Sequence, residues 1–491
     1  MSLFSSQPGR HLVDGTVRVF LAGLLFPLTG IITAAFLTRR LGPEGYGLLV
    51  LSATLVVLIE RGINSFFARA TIKFVAEAED WRPIGITVSR LHFLVGVGGA
   101  LLFSLLAFPL AEALHEPALA PYLCLYSLHI PLTGLAQGYQ NILVGIGHYK
   151  QKAIGTAAQW IARLILIIFL VELGLSIEGA ILGSIGASLV EVVIGRRYVG
   201  LPFFGQAMLP GRKFWNVGGM LLLSGLCLHS YTSLGLVMLK AFGGTAQDAG
   251  IYGAAQNLAI LPNLFTMAFT PLLFSTLSRM LSAGEAVQAK AIGRTTIRLA
   301  LGLLPLAAMV AGAASEIVPL FFGEPFEPAA PLFALLILGA VAFVMISVSV
   351  TIVTAAGPPR LPLILSAPPV LFAIVGYWAI IPTFGAFGAA FVTALCSWLG
   401  ALASVWVVYQ LWAIVPPMGT VARSVLAGVL AYALAVLWPT AGVWVLVKLS
   451  VISVLILLTY LVLREFSSDE IALARSFVRR STVPVEQQHE M

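Results

Sequence analysis

Charge is what this sequence lacks. Only 10% of its 491 residues are Asp, Glu, Lys or Arg, against 59% hydrophobic residues. A water-soluble chain of this length normally charges about a quarter of its residues. The missing polar shell has to be replaced by lipid, and the mean hydropathy of +0.98 says the same. Long polar segments are lacking too, which excludes a separate soluble domain. Cysteine is scarce. Cys124, Cys227 and Cys396 lie inside apolar runs without metal-ligand spacing, so they read as small buried hydrophobes and not as disulfides or a zinc site. No Walker motif is present, which excludes an ATPase engine on this chain. The seven histidines have no metal spacing, and no Ser-His-Asp set or paired acids mark a soluble active site. A cofactor, a metal and an enzymatic role are therefore not expected. The net charge of +7 is scattered over short loops, which argues against a nucleic-acid surface.

What is present is a series of apolar stretches, each near the ~20 residues needed to cross hydrocarbon. The breaks between them place spans at 16–38, 46–67, 87–111, 121–146, 153–173, 177–199, 215–240, 249–276, 297–320, 331–355, 361–381, 386–410, 420–438 and 442–463. Their spacing suits helices and not the ten-residue strands of a barrel. The expected fold is an all-α polytopic membrane protein of about fourteen helices. Arg10 and Arg18 precede the first apolar run and no small-residue cleavage site follows it, so it reads as a retained span.

Charge asymmetry sets an expected orientation. With the N-terminus inside, one face keeps only Arg39, Arg40 and Lys240, and three cations, Arg61, Arg163 and Lys448, stay within spans. The other 22 of the 28 basic residues fall on the cytoplasmic side, and both termini are cytoplasmic. After the last span, Ser467 and Glu470 form a capping box that opens a short helix through Arg480. It reads either as an amphipathic helix on the inner surface or as a solvated basic tail.

Two passages recur at an offset of a little over two hundred residues. Arg39-Arg40-Leu41-Gly42-Pro43-Glu44-Gly45-Tyr46-Gly47 joins spans one and two, as Lys240-Ala241-Phe242-Gly243 with Ala249-Gly250-Ile251-Tyr252-Gly253 joins spans seven and eight. Ser176-Ile177-Glu178-Gly179-Ala180-Ile181 opens span six, as Phe384-Gly385-Ala386-Phe387-Gly388-Ala389-Ala390 opens span twelve. Six spans separate each pair, so the copies run in the same direction. Parallel halves that rock about a central substrate site are a recurrent transporter plan. The expected units are an N-lobe at 1–200, a C-lobe at 201–412, two further spans at 413–464 and a tail at 465–491.

The loop Leu41-Gly42-Pro43-Glu44-Gly45-Tyr46-Gly47 resembles the hallmark of polysaccharide-biosynthesis flippases of the O-antigen (Wzx) type, in the multidrug/oligosaccharidyl-lipid/polysaccharide exporter superfamily. Glu60-Arg61-Gly62-Ile63 followed by Arg69 is similar to the same family, as is Gly250-Ile251-Tyr252-Gly253-Ala254-Ala255. So are Pro271-Leu272-Leu273-Phe274 leading to Leu277-Ser278-Arg279, and Phe322-Gly323 with Ala329-Ala330. Arg61 departs from the family pattern, which often has an apolar residue there. The resemblance implies two six-helix lobes around a central cavity with two appended helices. It also implies a bacterial inner-membrane protein that passes an undecaprenyl-diphosphate-linked sugar repeat, as in lipopolysaccharide assembly, from the cytoplasmic to the outer leaflet. The implied partners are that lipid-linked oligosaccharide, the bilayer and other polysaccharide assembly proteins.

Flipping such a lipid breaks no bond. It carries a diphosphate and a hydrated sugar past hydrocarbon, which calls for cations facing a wet interior. A cation within a span costs at least ~2.5 kcal/mol by insertion scales. Arg61 and Arg163 are the leading substrate-binding candidates, with Arg18 near the inner mouth, because a planar guanidinium can hold two phosphate oxygens at once. Structural readings stand beside these. Arg61 has an acid on another span as a possible partner, Arg163 has Glu191, and Arg18 is a natural positive-inside anchor. Lys448 is placed to snorkel toward the outer end. Glu60 and Glu191 are candidates for ion coupling or for structural pairing. Asn64, Gln256 and Asn257, with Gln137, Gln140 and Asn141, offer amides either to sugar hydroxyls or to neighbouring helices. Pro27, Pro131, Pro262, Pro271 and Pro305 lie inside spans and are expected to kink them, Pro27 as a hinge or a static bend. Two other functions compete: a multidrug exporter of the same superfamily, and a membrane-embedded polymerase or glycosyltransferase. The short outer loops weigh against the second.

Overall fold

The structure, a computed structural model, describes residues 7–202, 233–356, 361–414, 418–463 and 465, with side chains from Val19 onward except at 69, 268, 356, 361–364 and 366. Among these residues every regular element is a helix. The reason is solvent. In hydrocarbon each backbone N–H and C=O must find its partner within the protein, and a helix does this locally.

Among the described residues, ten helices are long and apolar enough to cross a membrane. Three of them are far longer than one crossing requires: Val19–Glu77 with 59 residues, Tyr149–Val199 with 51 and Ala367–Trp412 with 46. At 1.5 Å per residue each would overrun a 30 Å slab (about 20 residues of helix) if straight. Each contains a break, at Gly42 (φ 67°), at Gly174 and Ser176 (φ 92° and 43°), and at Gly385 (φ 51°). Gly42 illustrates the cause, since left-handed backbone carries no steric penalty without a Cβ. The three breaks turn ten helices into thirteen segments. The expected span at 215–240 falls largely outside the described residues, as does the expected tail helix. The chain is a multi-pass membrane protein. Its lipid-facing surface is apolar, as on the stripe Leu94, Leu101, Leu102, Leu105 and Phe108.

In chain order the helices are α1 (Gln7–Glu77), α2 (Arg82–Ala113), α3 (Leu119–Ser127), α4 (His129–Gly145), α5 (Tyr149–Leu170) and α6 (Ser176–Val199), with a π turn at Val171–Leu175. Then come α7 (233–241), α8 (Ala246–Leu258), α9 (Asn263–Ser282), α10 (Ala286–Leu301), α11 (Leu303–Gly312) and α12 (Ala314–Phe322). A 3₁₀ turn at Glu324–Phe326 precedes α13 (Ala329–Ala356), α14 (Leu361–Trp412), α15 (Met418–Leu437) and α16 (Trp444–Val462).

Proline sets three of these boundaries. Its ring removes the bond to residue i−4 and crowds that carbonyl. Accordingly α3 stops at Ser127 before Pro131, α8 at Leu258 before Pro262, and α10 at Leu301 before Pro305. Pro27 and Pro271 are carried inside α1 and α9 without interrupting them. The sharp break in α1 is at Gly42 and not at Pro27, where a hinge or a static bend is expected.

Helices α1 to α6 pack on one another, and α8 to α14 do the same; α15 lies on α11, and α16 on α11 and α15. The main described contacts between the two sets are all made by α1, chiefly with α8 and secondarily with α9, α12 and the 3₁₀ turn. The two recurring sequence passages also share backbone geometry. Ser176 (φ 43°, ψ −123°) and Gly385 (φ 51°, ψ −133°) break their helices in the same way, and Gly42 and Gly243 both have positive φ.

Candidate functional site

Glu60 and His129 form the centre of the most polar cluster built by the in-span candidates. Glu60 sits on the second half of α1. His129 opens α4, two residues after α3 stops, and its ring reaches the second half of α1. The Glu60 carboxylate accepts or shares a proton with His129 Nδ1 at 2.5 Å, and both side chains are almost buried. The other ring nitrogen, Nε2, lies 2.8 Å from Ser188 Oγ of α6. Thr133 Oγ1 is 3.0 Å from His129 Nδ1 and 3.3 Å from Ser188 Oγ. The Tyr126 ring of α3 meets the imidazole edge-on at 5.4 Å.

Arg61 and Arg163 border this cluster. Arg61 follows Glu60 on α1 and is partly buried. Arg163, on α5, places its guanidinium 5.7 Å from the Trp160 ring centroid, a cation–π geometry. Its Nε has no hydrogen-bond partner among the described residues. Arg163 and Glu60 are both in electrostatic reach of Tyr126, and Arg163 also of Tyr46. Neither arginine forms an ion pair with an acid among the described residues.

The other candidates are dispersed. Glu191 does not pair with Arg163; it accepts a hydrogen bond from Gln140 at 3.0 Å on the buried side of α6. Asn64 accepts one from Asn141 at 3.3 Å. Asn257 donates to the Tyr46 hydroxyl at 2.6 Å, joining α8 to α1. Gln256 is half-buried on α8. The Arg18 side chain lies outside the described residues. Lys448 departs from expectation: it is fully buried and does not snorkel, because Glu316 takes its ammonium at 2.7 and 2.8 Å. Thr440 completes that site by donating to Glu316 through its backbone N–H and its hydroxyl. Cys124 and Cys396 are free thiols, and no group of metal-ligating side chains occurs among the described residues.

His129 was not among the residues singled out from sequence. An imidazole in an apolar span is itself the missed signal, since ionisable groups at that depth are costly without a partner.

The helix ends around Gly42 form a second feature. Gly47 of α1 and Gly250 of α8 allow backbone contact: a Cβ on Gly47 would lie 1.8 Å from the Ala246 carbonyl oxygen. Tyr46 is buried there and meets Phe326 edge-on at 5.9 Å. The three cations expected on this face are all engaged. Arg39 donates to the Leu320 carbonyl at 2.8 Å, Arg40 pairs with Glu172, and buried Lys240 donates to Glu116 at 2.9 Å. The Arg39 and Lys240 contacts both join elements before residue 203 to elements after 232. At this end the two sets of helices are closed on each other.

Several solved structures share this fold. The lipid II flippase MurJ in an inward closed conformation matches with a TM-score of 0.75 at 14% identity, over 91% of this chain and 99% of that one. A mutant of the Vibrio cholerae MATE transporter VcmN matches at 0.60 and 18%, over 82% and 96%. A multidrug/oligosaccharidyl-lipid/polysaccharide superfamily transporter from Pyrococcus furiosus matches at 0.62 and 13%, over 84% and 97%. No curated protein sequence matches. The family described as "Polysaccharide biosynthesis protein" matches residues 36–331, which include α1 from its first half, the Glu60–His129 cluster and the Gly47–Gly250 contact. With more than half of its length inside that match, the chain belongs to the polysaccharide biosynthesis protein family.

Proposed function

We propose that the chain translocates a polyprenyl-diphosphate-linked oligosaccharide from the cytoplasmic to the outer leaflet of a bacterial inner membrane. One observation carries the reading: Arg61 and Arg163 stand within membrane-spanning helices without an acidic partner among the described residues. A cation kept at that depth without an acid is costly, and a diphosphate passing between the helices would offset the cost. Residues 1–200 and 201–412 act as two lobes and α15 and α16 as an appended pair. In this reading the Gly42 end faces outward and is shut, so the lobes admit the headgroup from the cytoplasmic side. Parting of α1 from α8 then releases it outward while the lipid tail stays in the bilayer. Asn64, Gln256 and Asn257 offer amides to the sugar once their present partners let go, and Arg18 lies near the inner mouth. Both termini are cytoplasmic, and other polysaccharide assembly proteins supply and consume the substrate. Since no bond is broken, no catalytic residue is assigned. A multidrug exporter is the second reading, favoured by the fold shared with the MATE structures. The greater coverage of this chain by the flippase fold, 91% against 82% for the Vibrio cholerae MATE mutant, supports the first.

The test is reconstitution of the full chain into vesicles loaded with fluorescent undecaprenyl-diphosphate oligosaccharide, scored by quenching from one side. Wild type should equilibrate the label between leaflets and the Arg61→Ala, Arg163→Ala double variant should not. Equal rates in both, or none above protein-free vesicles in either, would refute the reading.

A further inference from the structure

Glu60, His129 and Ser188 come from three different helices and engage both ring nitrogens of one imidazole in the interior of a membrane protein. The lipid-translocation reading leaves this arrangement unused. A structural tether needs only one of the two contacts. The full set does something more specific, because its geometry is compatible with two charge states. With a neutral imidazole, Nδ1–H donates to the Glu60 carboxylate and Nε2 accepts from the Ser188 hydroxyl, and the group carries one negative charge. When a proton from water adds to Nε2, the Ser188 hydroxyl rotates to accept it, and the group becomes neutral. Thr133, 3.3 Å from Ser188 Oγ, can take up the displaced hydroxyl proton as a hydrogen bond. No heavy atom has to move, because a hydroxyl both donates and accepts.

The surroundings give that change in charge a consequence. The charged and titratable groups facing the pair are Arg61 on α1, Tyr126 on α3 and Arg163 on α5. α6 adds the Ser188 hydroxyl, while His92 of α2 is turned away, donating from Nδ1 to the Val88 carbonyl of its own helix and packed on Phe67. Two guanidinium groups thus border a site that is either anionic or neutral. The anionic state attracts the arginines through space without pairing with them and so competes with an incoming phosphate; the neutral state leaves them available.

We infer that the Glu60–His129–Ser188 group is a proton-binding site whose occupancy controls the affinity of Arg61 and Arg163 for the diphosphate headgroup of the substrate. The inference rests on the proposed function in taking those arginines as the anion site. By linkage, binding of the anion draws a proton onto His129, and protonation tightens the anion by the same factor.

The probe is inorganic pyrophosphate, titrated into the full chain in nanodiscs at about pH 8 and about pH 6, the range in which imidazoles change charge. Pyrophosphate's own titration is common to all variants, so differences between them report the protein. The affinity gain of wild type on acidification should exceed that of H129Q by on the order of tenfold, toward the low end of the usual coupling range. E60Q, which removes the negative charge at every pH, should bind at pH 8 about as tightly as wild type does at pH 6; a purely structural role would make it bind more weakly. S188A keeps both charged partners but removes the acceptor for the added proton, and its gain should also fall below that of wild type. It supplies the comparison should H129Q fail to fold. Equal gains in wild type and in H129Q or S188A would overturn the proton link even with anion binding intact. Undiminished pyrophosphate affinity in the Arg61→Ala, Arg163→Ala variant would instead overturn the anion site itself.

Discussion

Gly250 presses against the backbone of Pro43: a Cβ placed on it would lie 1.9 Å from the Pro43 carbonyl oxygen. The clashing atom belongs to the main chain, so no rotamer change relieves it, and even alanine must push α8 away from α1. Gly250→Ala should therefore destabilise the closed end, by at least the ~1–3 kcal/mol typical of overpacking. In a background without the three native cysteines, a reporter thiol replacing the fully buried Leu51 should react faster with a water-soluble maleimide when Gly250→Ala is added. Unchanged labelling would show that the contact does not hold the helices together.

Glu316 and Lys448 are 132 residues apart and meet inside the fold. A buried pair is hard to break from one side, because the survivor keeps its charge without its partner. Lys448→Met alone should cost on the order of 3–5 kcal/mol, and adding Glu316→Leu should recover most of that. Thermal unfolding in detergent measures both. If the double variant unfolds no later than the single one, the pair is not the source of the stability.

Pro131 is the cause assigned to the interruption between α3 and α4, beside His129. Pro131→Ala supplies an amide at position 131 within reach of the Ser127 carbonyl, four residues back. Hydrogen exchange should show that new amide protected as α3 and α4 fuse. A freely exchanging amide there would mean that some other contact sets the break.

These cases show which parts of the molecule can be read from the sequence. Helix ends that a proline dictates four residues ahead are local, and so is the membrane character that follows from scarce charge. The repeat was visible in its glycines, and Ser176 and Gly385 adopt the matching backbone that it suggests. Arg61, Arg163 and Glu60 were visible as charges out of place in apolar runs. Partners distant in sequence were not, because Glu60 finds His129 69 residues later and Asn257 finds Tyr46 at a distance of 211. No local periodicity encodes such a pairing. Lys448 shows the same limit in reverse: a chain long enough to snorkel instead stays inside, because Glu316 on another helix reaches it first.

Lys240 and Glu116 tie the two sets of helices together at the Gly42 end, with 2.9 Å between the ammonium and the carboxylate. The most direct test of transport by parting at this end is to lock it. In a cysteine-free background, Lys240→Cys and Glu116→Cys are joined by a short bifunctional methanethiosulfonate, and lipid-linked oligosaccharide flipping is followed in vesicles before and after reduction. Translocation should stop in the cross-linked protein and return when the bridge is reduced. Flipping at an undiminished rate with the bridge intact would contradict transport through this opening.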